Sequence, residues 1–305
     1  MGRAAYWRDL SLRIPREDTC WTRHGLRRRA ARSQDGRMSS MWVLETPQPP
    51  PDARIAYGEA PQQFTELRKP KGKGPHPVVL FVHGGFWRAE YGLEHAGHLC
   101  ADLAKRGFAT WSVEYRRVGH DGGGFPGTLE DVASAADHLV DAAPSLGLDL
   151  TRVVAMGHSA GGHLAMWLAA RHRLTARQPL YRDAPLKLKG VVSLAGVVDL
   201  ARGAELNLGN GIVKTFMGGT PEQVPERYAV ASPAALQPLK LPQVLLHGTE
   251  DDTVPLTVSE GFHARGVQQK DPVHLVPLKG AGHFELIDPR SKEWPRVVQA
   301  VRTLR

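Results

Sequence analysis

Cysteine is scarce in this chain: Cys20 and Cys100 are the two present among 305 residues. Two cysteines cannot make a disulfide framework, so a small stapled scaffold is excluded and a reducing cytoplasm is the expected setting. Cys20 lies in an N-terminal arm. Cys100 falls in a helical pattern with Leu99 and Leu103 and reads as a small buried hydrophobe. Long apolar runs are missing too, and nothing approaches the roughly 20 residues that span a bilayer. The first thirty residues lack the apolar centre of a secretory signal, since Tyr6-Trp7 runs directly into Arg8-Asp9. No internal repeat is evident.

The net charge of +8 suggests a nucleic-acid partner until it is located. Residues 1–40 hold ten arginines and four acidic residues, a net of +6, so 41–305 carry only +2. The basicity belongs to the arm. Arg27-Arg28-Arg29 has no aromatic platform or binding motif beside it, so a solvated arm is expected and nucleic acid is not. Met38 and Met41 follow the arm and offer alternative starts. Proline then crowds 47–51, and residues 1–50 together read as a disordered, basic and Pro-rich extension. The remaining 51–305 suit one globular α/β domain.

Within that domain short β-branched runs alternate with amphipathic stretches. Arg54–Tyr57 and Gln63–Leu67 read as an antiparallel pair. Val78–Val82, Phe108–Val113, Val153–Met156, Gly190–Leu194, Val244–Leu246 and Val273–Val276 read as buried strands. Helices are expected over Leu93–Arg106 with Gly107 as C-cap, and over Thr128–Ala143, opened by Thr128 and stopped by Pro144. Two more are expected over Leu256–Ala264 and Trp294–Leu304. The alternation implies a mostly parallel sheet covered on both faces.

Between strand and helix at 153–172 stands Gly157-His158-Ser159-Ala160-Gly161, the G-x-S-x-G pattern. It sets a serine on a sharp strand-to-helix turn, where close packing and strained dihedrals demand glycine on either side. A serine hydroxyl is a poor nucleophile near neutral pH. It needs a base, a carboxylate to orient that base, and donors for a developing oxyanion. Such groups converge from loops at the C-terminal edge of a parallel sheet. After the last strand comes Gly280-Ala281-Gly282-His283-Phe284, so His283 is the expected base among fourteen histidines. His83 and His247 sit at strand ends, where an imidazole more often bonds nearby backbone. His138, His163, His172 and His263 lie on helices as surface or packing residues.

The acid should come from His247-Gly248-Thr249-Glu250-Asp251-Asp252-Thr253-Val254-Pro255. D-x-x-V-P favours Asp251, with Asp252 the alternative. For the oxyanion, His83-Gly84-Gly85-Phe86-Trp87 follows the first long strand, and the helix-end amide of Ala160 supplies a partner. Phe86 and Trp87 can serve the core. Trp87 is also expected, with His158, to wall the substrate pocket.

These motifs resemble those of the α/β-hydrolase superfamily, in its esterase and lipase branch. HGGFW is similar to the HGGG loop of hormone-sensitive-lipase-like esterases and closer still to the HGGYW loop of kynurenine formamidases. The resemblance implies a serine hydrolase with Ser159, Asp251 and His283 as triad, donors at Gly85, Phe86 and Ala160, and neither metal nor organic cofactor. It departs in Phe86, which stands where the formamidases have tyrosine, and in showing no large cap domain. Leu206–Met217 is the stretch available for a small helical lid. Glu114-Tyr115-Arg116 is similar to an acidic-Tyr-Arg motif of the family, and Arg116 reads as a structural anchor. The expected activity is cleavage of a carboxylic ester or amide of a small or medium acyl substrate. Kynurenine formamidase (arylformamidase) is the alternative. A prolyl-oligopeptidase-like peptidase would need a gating domain, and a non-catalytic binding protein would usually have a damaged triad. The expected partner is a small-molecule substrate, with no membrane span and a homodimer left open.

Overall fold

The computed structural model describes residues 41–305. Eight strands form one sheet in the order β1-β2-β4-β3-β5-β6-β7-β8. They are β1 (Ala53–Ala56), β2 (Phe64–Arg68), β3 (His76–Val82), β4 (Ala109–Val113), β5 (Leu148–His158), β6 (Gly190–Leu194), β7 (Gln243–Gly248) and β8 (Val273–Leu278). β1 pairs antiparallel with β2, and β2 antiparallel with β4. Every pairing from β4 across to β8 is parallel. This is the mostly parallel α/β-hydrolase sheet expected from the alternation.

The two faces of the sheet explain the unbroken apolar runs. Successive side chains of a strand point to opposite sides. Val78, Leu80 and Val82 of β3 join one core with Trp111 and Leu164. Val79 and Phe81 join a second core with Leu99, Cys100 and Trp294. A strand covered on both sides needs apolar residues at every position, not at alternate ones. Cys100 is buried and unpaired, as expected, and burial pushes its thiol up to about 11.

The flanking helices are α1 (Trp42–Glu45), α2 (Gly97–Lys105), α3 (Gly127–Leu146), α4 (Ala160–Ala170), α5 (Leu200–Glu205), α6 (Leu208–Met217), α7 (Pro225–Ala231), α8 (Thr257–Gln268) and α9 (Trp294–Leu304). A 3-10 turn, Leu93–Ala96, leads into α2, and Gly107 follows its end with φ of 96°.

Three expectations need correction. α3 does not stop before Pro144 but runs through it to a left-handed C-cap at Gly147. A proline in the last turns costs only the bond to the carbonyl four residues back, and that residue, Val140, is exposed. Thr128 does not cap α3 but lies within its first turn, and its hydroxyl donates to the carbonyl of Arg116. The linker reading of residues 1–50 fails at its C-terminal end, because α1 is helical and Val43 is 1% exposed within the second core. Residues 1–40, and with them Cys20 and the arginine run, lie outside the described residues.

Leu206–Met217 is largely helical, but it packs rather than swings clear. Val213, Phe216 and Met217 are buried, and the Arg88 guanidinium donates to the Gly209 carbonyl at 2.8 Å. Gly209, Asn210 and Gly211 all hold positive φ and break the helix there, in residue types that tolerate the left-handed region. α7 was not legible as a helix, because its seven residues begin at Pro225 and carry too few apolar positions to show a period.

Candidate active site

β5 ends at His158, and α4 starts at Ala160, leaving Ser159 alone in the turn with φ 56° and ψ −121°. A non-glycine residue persists at such angles only when its surroundings fix it. The glycines on either side do so by close approach. A Cβ on Gly157 would fall 2.0 Å from the Gly161 carbonyl oxygen, and one on Gly161 would fall 2.1 Å from that of Val82. No other residue type fits either position.

The loop after β7 carries Asp251, and the loop after β8 carries His283. The Nδ1 of His283 lies 2.7 Å from Oδ2 of Asp251. The second carboxylate oxygen accepts the amides of Thr253 at 2.9 Å and Val254 at 2.8 Å. His247 stands on the other side, its Nε2 3.4 Å from Oδ2. Burial works against ionisation of Asp251, but His283, His247 and these hydrogen bonds outweigh it and hold the carboxyl well below its ordinary range. Asp251 has a fully buried side chain, whereas Asp252 is exposed and accepts a hydrogen bond from the Thr253 hydroxyl at 3.3 Å. The geometry thus separates the two candidate acids. His247 also contacts the Ser259 hydroxyl and the Val254 carbonyl, each at 2.8 Å, the local bonding expected of it.

Ser159 and His283 line one narrow cleft with a cavity volume of about 20 Å³, together with Gly85, Phe86 and His158. Gly85 (φ 108°), Phe86 (φ 51°) and Trp87 (φ 53°) turn the loop after β3 through three consecutive left-handed residues. Gly84 is pressed so close that a Cβ there would lie 3.1 Å from that of Ser159. Gly85 and Phe86 share the cleft with Ser159, and Ala160 is the first residue of α4, where a helix's leading amides have no intrahelical partner.

Trp87 is not a wall of this cleft, contrary to expectation. It is 0% exposed and stacks on Phe216 at 4.7 Å, with His163 edge-on at 5.3 Å. Its large apolar ring gains more from that packing than from a solvated pocket. His158 does line the cleft. Its Nε2 donates to the His283 carbonyl at 3.0 Å, and burial together with His283 keeps its pKa far below the ordinary value, so the ring is neutral.

A buried carboxylate supports the loop after β3. Glu114 accepts the amides of Leu93 at 3.0 Å and Tyr115 at 2.9 Å, and its Oε1 lies 3.1 Å from His83 Nε2. The Tyr115 hydroxyl donates to the His83 carbonyl at 2.9 Å. Arg116 makes a bidentate pair with Asp131 at 2.9 and 2.8 Å, consistent with a structural anchor. The sequence signalled Glu114 only as part of a resemblance. Leu44, Tyr91, His95 and Phe284 also line the cleft, and no motif marked the first three. Among the described residues no group of three or more His, Cys, Asp or Glu could hold a metal ion, and no helix is long and apolar enough to cross a membrane.

The BD-FAE family model matches residues 67–265, well over half of the chain. The chain belongs to the BD-FAE family. This BD-FAE chain is 27% identical to Esterase LipC of Mycobacterium tuberculosis over 251 residues, which is 77% of the chain and 60% of that protein. It is 29% identical to the probable isoprenylcysteine alpha-carbonyl methylesterase ICME of Oryza sativa subsp. japonica over 250 residues, 76% of the chain and 58% of the relative. It therefore spans about 60% of the length of these curated relatives. In fold it resembles esterase B from Lactobacillus rhamnosis, with TM-score 0.70, 20% identity and coverage of 87% of this chain and 90% of the other. The propionate-bound esterase Est2 of Thermogutta terrifontis gives TM-score 0.64 and 21% identity, covering 82% and 92%.

Proposed function

We propose that the protein is a serine hydrolase that cleaves carboxylic esters of small or medium substrates. The observation that carries this is the 2.7 Å contact of His283 Nδ1 with a buried, ionised Asp251, in a cleft that Ser159 shares. A carboxylate only accepts, so it requires the proton on Nδ1 and leaves Nε2 with a lone pair. That nitrogen takes the Ser159 proton as the hydroxyl oxygen attacks the ester carbonyl. The tetrahedral oxyanion is received by the amides of Gly85, Phe86 and Ala160. Protonated His283 returns the proton to the departing alcohol. Water, deprotonated by the same nitrogen, then hydrolyses the acyl-enzyme.

Ester rather than formamide cleavage is favoured because the curated relatives bear esterase names. The formamidase reading rests on the likeness of HGGFW to HGGYW and on a pocket lined by Phe86 and Trp87, and Trp87 is buried away from the cleft. The test is a hydrolysis screen of p-nitrophenyl esters of rising acyl length beside N-formylkynurenine, with Ser159→Ala as control. Hydrolysis of short esters that disappears in the variant is expected. Turnover of N-formylkynurenine alone, or ester hydrolysis that persists in Ser159→Ala, would reject the reading.

A further inference from the structure

The cleft has one wall that neither the triad motifs nor the matched family segment supplies. Leu44 lines it together with Ser159, Thr253 and His283, and Leu44 lies more than twenty residues before the family match begins at 67. The residue belongs to α1, a single helical turn that would be unstable alone and is held by tertiary contacts.

Those contacts tie the turn to two distant parts of the chain. On one side the Arg290 guanidinium lies 3.7 Å from the centre of the Trp42 ring, and Arg290 is itself held by Asp288 at 2.7 Å, in the segment that follows His283. On the other side the His98 ring of α2 packs on Trp42 at 4.2 Å, and His98 Nε2 lies 3.2 Å from the Thr46 carbonyl. Val43 anchors the turn from beneath, in the core that contains Leu99 and Trp294. Further along, the Arg68 guanidinium donates to Gln48 at 3.0 Å and to the Pro49 carbonyl at 2.7 Å. The segment 42–49 is thus a strap fixed at several points, with Leu44 directed at the cleft between them.

We propose that this strap sets the substrate size limit and that Leu44 is its specificity-determining residue. The inference rests on the esterase reading and adds to it the substrate class: esters whose apolar group is short. The physical reason is room. The cleft has a cavity volume of about 20 Å³, little more than a single water requires, and its polar and reacting side is formed by the triad loops. Cutting the isobutyl side chain of Leu44 back to a methyl opens space in that wall. A longer aliphatic chain then gains burial there, while a short one gains nothing.

Two substrate series test this, because the strap can face either half of an ester: p-nitrophenyl esters from acetate to octanoate, and acetates of rising alkyl alcohols. Leu44→Ala should raise the six-carbon to two-carbon ratio of kcat/KM by about tenfold in one series, the scale on which a pocket senses missing methylenes. Leu44→Trp should lower the same ratio. Glu45→Ala, an exposed change on the same turn, should leave it at the wild-type value. An active enzyme whose ratios stay constant in both series across the Leu44 variants overturns the proposal while sparing the esterase reading. A folded wild-type chain that hydrolyses no member of either series overturns both.

Discussion

The residue immediately before the proposed nucleophile grips the loop of the proposed base: His158 Nε2 donates to the backbone carbonyl of His283 at 3.0 Å. The two rings also lie 4.5 Å apart. Strand end and distant loop are thereby fixed to each other across the cleft. Misplacement of a catalytic group by about 1 Å can cost on the order of a hundredfold. His158→Leu, which keeps bulk but not the donor, should therefore lower kcat by about ten- to a hundredfold. His158→Gln places an amide N–H near the lost Nε2 and should recover part of it. Equal activity in wild type and His158→Leu would show that the contact positions nothing.

Of the two acids in the loop after β7, Asp251 faces His283 and Asp252 faces solvent. Asp251→Asn presents an amide to Nδ1 and favours the wrong tautomer. The expected loss in kcat is about three to four orders of magnitude, as for triads of this kind. Asp252→Asn should stay within about twofold of wild type. Steady-state kinetics on a short p-nitrophenyl ester distinguishes them, and a large loss at 252 with none at 251 would reverse the assignment.

Acid should weaken the fold through a buried histidine outside the cleft. His163 of α4 is buried with Nε2 2.9 Å from the Ala231 carbonyl, and burial lowers its pKa from 6.5 to about 4. Between those values the unfolded chain binds a proton that the folded chain refuses. Its contribution is neutral above pH 6.5, and stability falls as pH drops from 6.5 towards 4, by about 3 kcal/mol over the window. His163→Gln keeps a donor for Ala231 and removes the titration. Urea unfolding at pH 7 and 4.5 should show a smaller loss for the variant, and identical losses would contradict the assignment.

Every residue that lines the cleft lies between Leu44 and Phe284. A chain begun at Met41 should hydrolyse short esters at the rate of the full chain, while any affinity for polyanions carried by the arginine run should be lost. A chain begun at Pro51 lacks the strap and should differ from both in its chain-length profile. Comparable kcat/KM values for all three chains on every ester would remove any role for 41–50.

What the sequence disclosed and what it withheld follow the range of the forces involved. Strands such as Val78–Val82 announce themselves because burial on both faces demands an uninterrupted apolar run. Ser159, Asp251 and His283 stand in loops whose glycines and prolines mark their shape. Trp87 misled because its neighbours Phe216 and His163 come from α6 and α4, far along the chain, and their packing overrides its place in the loop. Leu44 was hidden for the same reason: nothing local distinguishes a four-residue turn in a proline-rich stretch until Arg290 and His98 close on it. Local chemistry was legible, and long-range packing was not.

The most direct test of the serine mechanism is covalent. Folded protein treated with a fluorophosphonate and analysed by peptide mass spectrometry should carry one label on Ser159. Labelling should vanish in Ser159→Ala and slow by orders of magnitude in His283→Ala. A folded wild-type chain that takes up no label, or takes it up at another residue, would contradict the account.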